Sequence, residues 1–242
     1  MAFSKTTPVI LLLGYSVAPR NSPSTTSHRY TPPVSKSFPC EAIVLRTYDV
    51  GEADRFCVLL TRERGRMTAR AAGVRKPGSR IGGLVLPFRH LSVELREGSA
   101  GCFIRSVVSR SELPLHADMA AFTRVEQGCE LLLALVSHEE PDSAVFDAFL
   151  TFLRSSHSPC SLHAFTFRLL GVLGFLPDGL HLQTMARLPA EALAFIASAR
   201  EGREALEIPE TVQKELRKLR HLLLAEHLSA PLKAEGVAGS FL

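Results

Sequence analysis

The five cysteines of this 242-residue chain are scattered, and no two of them form a Cys-x-x-Cys pair. Zinc ribbons need such pairs, and disulfide frameworks need closely spaced cysteines in a short chain, so neither is predicted. We interpret all five as single buried thiols in a reducing compartment, which favours a cytoplasmic protein. They are Cys40, Cys57, Cys102, Cys129 and Cys160.

The sequence also lacks a membrane-spanning run near its start, where Val9–Leu13 is only a short apolar stretch. A transmembrane helix needs about 20 apolar residues, so no membrane association is predicted. The stretch from Asn21 to Ser37 is rich in Ser, Thr and Pro without apolar periodicity, which is typical of disorder. We interpret residues 1–38 as a disordered extension or a translation start assigned too early; a signal peptide is the alternative.

No catalytic constellation can be argued from spacing. The phosphate-binding pattern GxxxxGK[ST] is absent, which removes support for nucleotide hydrolysis. Glu52 and Asp54 have no further acid or histidine nearby, so they make a poor two-metal site. The histidines are dispersed along the chain. The sequence therefore predicts a protein that is not an enzyme and that needs no cofactor or metal.

Positive charge is concentrated in one part of the chain. The whole chain has a net charge of +4, whereas residues 41–110 contain thirteen basic and seven acidic side chains, a local net charge of +6. Only one of the thirteen is lysine. Arginine can bind phosphates through two parallel hydrogen bonds and can stack on bases, so this excess favours a nucleic-acid partner.

The segment Gly73–Gly83 lies at the centre of this basic region and contains no acid. Its cations are Arg75, Lys76 and Arg80, spaced by glycine and proline. We predict a flexible cationic loop that grips the phosphate backbone without reading sequence. A loop that merely keeps the surface soluble is the alternative.

Five short segments with a period of two flank this loop and predict β-strands. They begin at Glu41, Arg55, Arg66, His90 and Cys102. Five strands within about seventy residues, with one long connection after the third, favour a small closed barrel of the OB-fold type. Arg66, Arg70 and Arg46 would extend a basic groove if they face its open side; a solvated strand face is equally compatible. We expect Tyr48 and Phe88 to be exposed for base stacking, and Phe56 and Phe103 to be buried.

After Pro114 the apolar period changes to 3.6 residues, which predicts helices. An apolar stripe runs from Met119 through Phe122 to Val136, and Asp142 is placed to cap a second helix. Further helices are expected after Pro159, Pro189 and Pro209. The predicted fold class is therefore α+β, with residues 39–112 as the barrel and residues 113–242 as an all-helical domain.

Several segments resemble the bacterial recombination mediator family RecO. These are the opening stretch Glu41–Arg55, the continuation Leu59–Gly65, the basic loop Gly73–Arg80 and Pro87-Phe88 before Leu91–Leu95. Less specific similarity continues at Phe167–Leu170 and Gly174–Asp178, at Leu222–Leu224 and at Pro231–Lys233. By position, Arg75, Lys76 and Arg80 match the basic loop of the family.

The resemblance implies a protein that binds single- and double-stranded DNA and anneals complementary strands in repair and recombination. It also implies contact with the C-terminal tail of single-stranded DNA-binding protein, and a complex with RecR that loads RecA. Many family members have a zinc-binding cysteine cluster after the Pro-Asp motif, but residues 179–185 contain no cysteine. A zinc-free variant is expected. The alternative function is an OB-fold adaptor that binds proteins and not DNA.

Overall fold

The computed structural model describes residues 36–113, 118–138, 140–203 and 207–228, and only the backbone of Thr184 and Met185. Five strands come first, followed by six helices. The strands are β1 (Ser37–Val50), β2 (Asp54–Thr61), β3 (Gly65–Ala71), β4 (His90–Gly98) and β5 (Gly101–Ser111). The helices are α1 (Met119–Leu135), α2 (Ser143–Arg154), α3 (Ser161–Val172), α4 (Gly179–Ala186), α5 (Ala190–Arg200) and α6 (Glu210–His227).

The strands form a closed barrel in the order β1-β2-β3-β5-β4, and β1 pairs with β4 to close it. All neighbours are antiparallel except β3 and β5, which pair in parallel through Ala69–Cys102 and Arg70–Phe103. The α+β fold class and the five-stranded OB-like barrel are thereby confirmed. The β3–β4 connection is long because β4 lies between β5 and β1, and β5 separates it from β3.

The alternating strands separate two cores. Small and branched side chains fill the barrel interior, among them Ala42, Val44, Cys57, Leu59 and Ala69. At one end of the barrel, the outer faces of β1 and β2 pack against the helices. A bulge in β1 between Val44 and Arg46 shifts the register there. Ile43 and Leu45, two residues apart, share the outer face and join the helical core, and the bulge then places Arg46 opposite Val58 on that same face.

The β3–β4 loop is folded against the barrel core, whereas the sequence predicted a flexible loop. Val74 and Val85 are buried in the barrel core, and Ile81 and Leu84 pack against it. A helical turn forms where the amides of Leu84 and Val85 donate to the Ile81 carbonyl at 3.0 and 3.2 Å. The apolar residues interspersed among the glycines anchor the loop, so its exposed part is the short tip around residues 75–80.

The helices after Pro159, Pro189 and Pro209 begin where the prolines predicted, and Asp142 caps α2 through the amides of Ala144 and Val145. The inward stripe assigned to α1 is wrong at its start, because Met119 is 77% exposed. The first turn of α1 extends past the core. The buried stripe begins at Ala121 and Val125.

Helix α4 was not predicted. Its eight residues bury one described side chain, Leu182, which is too weak a pattern to detect by periodicity. Asp178 accepts a hydrogen bond from the His181 amide at 2.8 Å and caps the helix. Asp178, directly after Pro177, was the signal in the sequence that could have predicted the start of this helix.

Charged groups fasten the barrel to α2. The Arg62 guanidinium donates to both carboxylate oxygens of Asp147, at 3.0 and 2.6 Å, and also to Glu41 at 2.9 Å. The guanidinium carbon of Arg62 lies 4.6 Å from the centre of the Phe146 ring. Glu41 also accepts from the His90 ring at 2.8 Å. This network and the shared apolar core join barrel and helices between residues 36 and 228.

The stability of the helical half is expected to fall in mild acid because of His163. This ring is 5% exposed, and its Nδ1 has no hydrogen-bond partner within the described chain. Burial, with Arg220 and Arg217 nearby, lowers the His163 pKa from 6.5 to about 3. A neutral buried histidine stabilises the fold fully above pH 6.5, and this contribution is lost as pH falls towards 3, because the unfolded chain takes up the proton first.

Urea unfolding at pH 7.5 and pH 5 measures this effect, with about 2 kcal/mol of the loss attributable to His163. His163→Leu should remove that part of the pH dependence. His157→Gln, at an exposed position, serves as the control and should retain it. Equal pH dependence in wild type and His163→Leu would contradict the assignment.

Candidate nucleic-acid interface

The predicted basic loop and the β1–β2 turn meet at one end of the barrel. The Arg75 amide donates to the Ala53 carbonyl at 2.9 Å, and the Gly73 amide donates to the Asp54 carboxylate at 2.7 Å. Gly73 itself has φ +69°, a conformation that glycine adopts without strain. The loop tip is therefore held beside the hairpin turn, which we call the turn end of the barrel, residues 49–54 with 73–80.

Two carboxylates at the turn end neutralise part of its positive charge. Asp54 accepts from Gly73 and from the Arg70 guanidinium, and these bonds hold the Asp54 pKa below its usual range. Asp49 accepts from Arg55 at 2.8 Å and lies 3.4 Å from the Arg75 guanidinium; its pKa is lowered chiefly by the Arg55 bond. Arg70 and Arg75 are thus tied to acids of the protein itself.

Lys76 and Arg80 keep their charges available. Both are exposed, and neither forms a hydrogen bond from its side chain or an ion pair with the part of the chain that the structure describes. Lys76 lies close enough to Asp54 to contribute to the lowering of its pKa. An exposed cation without an acid partner has no internal bond to break before it contacts a phosphate. These two side chains are the best-placed phosphate ligands among the six predicted cations.

Arg66 and Arg46 lie away from the loop tip, on the side of the barrel that faces α1. The Arg66 guanidinium donates to the Leu133 carbonyl near the C-terminus of α1, and burial lowers its pKa. A cation at a helix C-terminus is stabilised by the helix dipole. Arg46 is exposed but lies near Glu126 and Cys129 of α1, where burial raises the pKa of both groups and the Arg46 charge partly offsets that rise. The structure brings Arg70, Arg75 and Lys76 together but not these two.

One of the four predictions for aromatic side chains is confirmed, that for Tyr48. Tyr48 is 53% exposed, as predicted, but Phe88 is buried and packs edge-on against Phe122 with ring centres 6.1 Å apart. The Phe88 backbone has φ +63°, and its amide donates to the Val44 carbonyl at 2.7 Å. Phe56 and Phe103, which were assigned to the core, are only half-buried. Sequence alternation gave the face of each strand but not which part of that face the helices cover.

No group of three or more His, Cys, Asp or Glu side chains that could hold a metal ion occurs among the described residues. The segment after the Pro-Asp motif, where related proteins were expected to have cysteines, forms α4. Within the same described ranges, no helix is long and apolar enough to cross a membrane.

Comparison with known proteins supports the resemblance. Residues 36–111 match the family model described as "Recombination protein O N terminal". The chain is 36% identical over 149 residues to a DNA repair protein RecO of Bifidobacterium adolescentis, covering 57% of this chain and 59% of that protein. It is 35% identical over 147 residues to that of Desulforudis audaxviator, covering 59% of each.

A third relative, the DNA repair protein RecO of a Nocardioides species, is 36% identical over 159 residues, which is 62% of this chain and 65% of that protein. The matches therefore span 59 to 65% of the length of these three curated relatives. The described barrel coincides with the matched residues 36–111. The barrel domain of this chain is therefore similar to the N-terminal domain of the RecO family of DNA repair proteins.

Proposed function

We propose that this protein binds single- and double-stranded DNA, anneals complementary strands and acts as a mediator of repair and homologous recombination. The observation that carries the proposal is the pair of exposed cations Lys76 and Arg80, which no described residue pairs, at the turn end of a RecO-type barrel. Annealing requires that the repulsion between two phosphate backbones be screened, and contacts to phosphates leave the base edges free to pair.

The proposed mechanism makes and breaks no covalent bond. Base pairing supplies the free energy of annealing, and the protein lowers the electrostatic barrier by replacing condensed counterions with its own cations. Arg70 and Arg75 would contribute less, because Asp54 and Asp49 already hold them. The partners proposed on the family resemblance are RecR, with which the protein would help to load RecA, and the C-terminal tail of single-stranded DNA-binding protein. We place this activity in the cytoplasm.

A basic depression on α6 supports the proposal that an acidic peptide tail binds to the helical half. It is lined by Lys214, Arg217, Lys218 and His221 together with Thr211 and Glu215. Lys218 and Arg217 are partly engaged, at 2.8 Å to Glu215 and 3.7 Å to Glu210. Three cations against one lining acid leave a net positive surface, which complements an acidic segment.

Fluorescence anisotropy with labelled single-stranded DNA tests the proposal, followed by annealing of complementary strands with and without single-stranded DNA-binding protein. We expect binding at low salt that weakens as salt rises, and annealing without magnesium. The alternative, an OB-fold adaptor for proteins, predicts no anisotropy change even at low salt. Strand cleavage during long incubation with magnesium would instead indicate a nuclease.

A further inference from the structure

The outer face of the barrel presents a row of three aromatic rings and one arginine near the turn end. In the strand register, Tyr48 of β1 lies opposite Phe56 of β2, and Phe56 lies opposite Arg70 of β3. Arg70 in turn lies opposite Phe103 of β5. Directly opposed residues on adjacent strands point to the same face, so the four side chains form one continuous row. We call it the aromatic row: Tyr48, Phe56, Arg70 and Phe103.

The row lies on the part of the outer face that the helices leave uncovered. Ile43 and Leu60 occupy the same face nearer the helices, beyond the Arg46–Val58 pair, and are fully buried in the helical core. By contrast, Tyr48 is 53% exposed, Arg70 is 42% exposed at its side chain, and Phe56 and Phe103 are half-buried. None of the three rings packs against another aromatic ring within the described residues.

Local structure holds the row in place. Asp54 binds the Arg70 guanidinium at Nε and Nη2, which fixes the plane of that group while Nη1 has no partner among the described residues. The Phe103 ring lies over Gly98 at the end of β4, where an added Cβ would be 3.3 Å from the ring. Glycine at this position therefore gives the Phe103 ring its room beside the turn.

We propose that the aromatic row is a stacking platform for unpaired bases of single-stranded DNA, a role that rests on the DNA binding proposed above. Four strands at about 4.8 Å spacing give the row a length of roughly 14 Å, enough for a short run of nucleotides. Aromatic faces stack on any base, and a guanidinium can do the same. Lys76, beside Asp54 at one edge of the row, would bind the phosphates of the same strand.

The proposal commits to single strands because a duplex hides its base faces. A duplex can reach Lys76 and Arg80 through its phosphates, but it cannot stack on the row. The protein should consequently prefer an unpaired strand to a duplex of the same length. Barrels of this class bind oligonucleotides on the face of strands 2 and 3, between the loops that join strands 1–2 and 4–5, which is where the row lies.

Anisotropy titrations with labelled oligo-dT, an abasic strand of equal length and a duplex test the proposal on the full chain. The wild type should bind oligo-dT at least tenfold more tightly than the abasic strand, which has phosphates but no bases. The triple variant Tyr48→Leu, Phe56→Leu, Phe103→Leu preserves apolar volume but removes the rings. It should lose on the order of tenfold or more for oligo-dT and bind the abasic strand and the duplex as the wild type does.

The comparison of oligo-dT with the abasic strand needs no variant, so it can overturn the proposal even if the triple variant does not fold. Equal wild-type affinity for the two strands would overturn the stacking platform and leave phosphate binding intact. The same result is expected if another segment of the chain or a second copy covers the row, and it would overturn the platform in that case too. Absence of binding to every probe at low salt would overturn the proposed DNA-binding function itself. A triple variant that is folded by circular dichroism and keeps full oligo-dT affinity would also overturn the platform.

Discussion

Replacing Lys76 and Arg80 together with alanine is expected to weaken binding to single-stranded DNA by ten- to a hundredfold at low salt. Both side chains are exposed and unpaired within the described chain, so each is available for one phosphate contact. The slope of log K against log salt should become shallower by about 1.4, since each contact to a single strand contributes roughly 0.7. Anisotropy titrations over a salt series measure both quantities.

The matched control is the double variant Arg154→Ala, Arg203→Ala, which removes the same charge at exposed positions in the helical half. Its slope should equal that of the wild type. A similar loss in both double variants would show that net charge and not the loop tip controls binding. Arg75→Ala should have a smaller effect than Lys76→Ala, because Asp49 and the Gly51 carbonyl already engage the Arg75 guanidinium.

The substitution Gly65→Ala is expected to destabilise the fold by about 3 kcal/mol or more. Gly65 begins β3 with φ +66°, and a Cβ there would lie 2.2 Å from the Glu140 carbonyl oxygen. The clash involves backbone on both sides, so no side-chain rotation can relieve it. The turn between β2 and β3 would have to separate from the segment before α2, which also loosens the nearby Arg62–Asp147 contact.

Gly51→Ala provides the control, since Gly51 also has positive φ, at +59°, but a Cβ there meets nothing within 4 Å. Only the left-handed backbone strain of about 1–2 kcal/mol applies to it. Urea unfolding of the two variants separates this strain from the overlap with Glu140. If the two variants were equally stable, the close approach of Glu140 to Gly65 would be refuted.

The DNA-binding assignments of the six predicted cations stay predictions, but their surroundings now differ sharply. The sequence placed Arg66 and Arg70 on one strand face, and the register agrees, because they lie opposite Leu60 and Phe56. Their surroundings differ because Arg66 donates to the Leu133 carbonyl near the end of α1, whereas Arg70 is bound by Asp54 at an exposed position. Alternation along a strand determines which face a residue occupies; it does not determine what packs on that face.

The β3–β4 loop and the aromatic side chains also show that local sequence patterns do not predict which side chains are buried by tertiary contacts. Glycine, proline and cations between residues 73 and 83 indicated an exposed loop, and its tip is exposed. Val74 and Val85 nevertheless fill the barrel, because a closed five-stranded barrel needs apolar side chains at its end as well as along its strands. Likewise Phe88 is buried with a positive φ and packs on Phe122, and Phe103 is half-buried on the outer face of β5.

By itself, the sequence determined the five strands, the long connection after the third, five of the six helices and the concentration of positive charge in the barrel. These follow from local periodicity, turn residues and composition, which need only neighbours along the chain. Tertiary structure decided which cations are paired with Asp49 and Asp54, which remain available, and that Tyr48, Phe56, Arg70 and Phe103 form one row. These depend on strand register and on where the helices pack, and both arise from contacts between residues far apart in sequence.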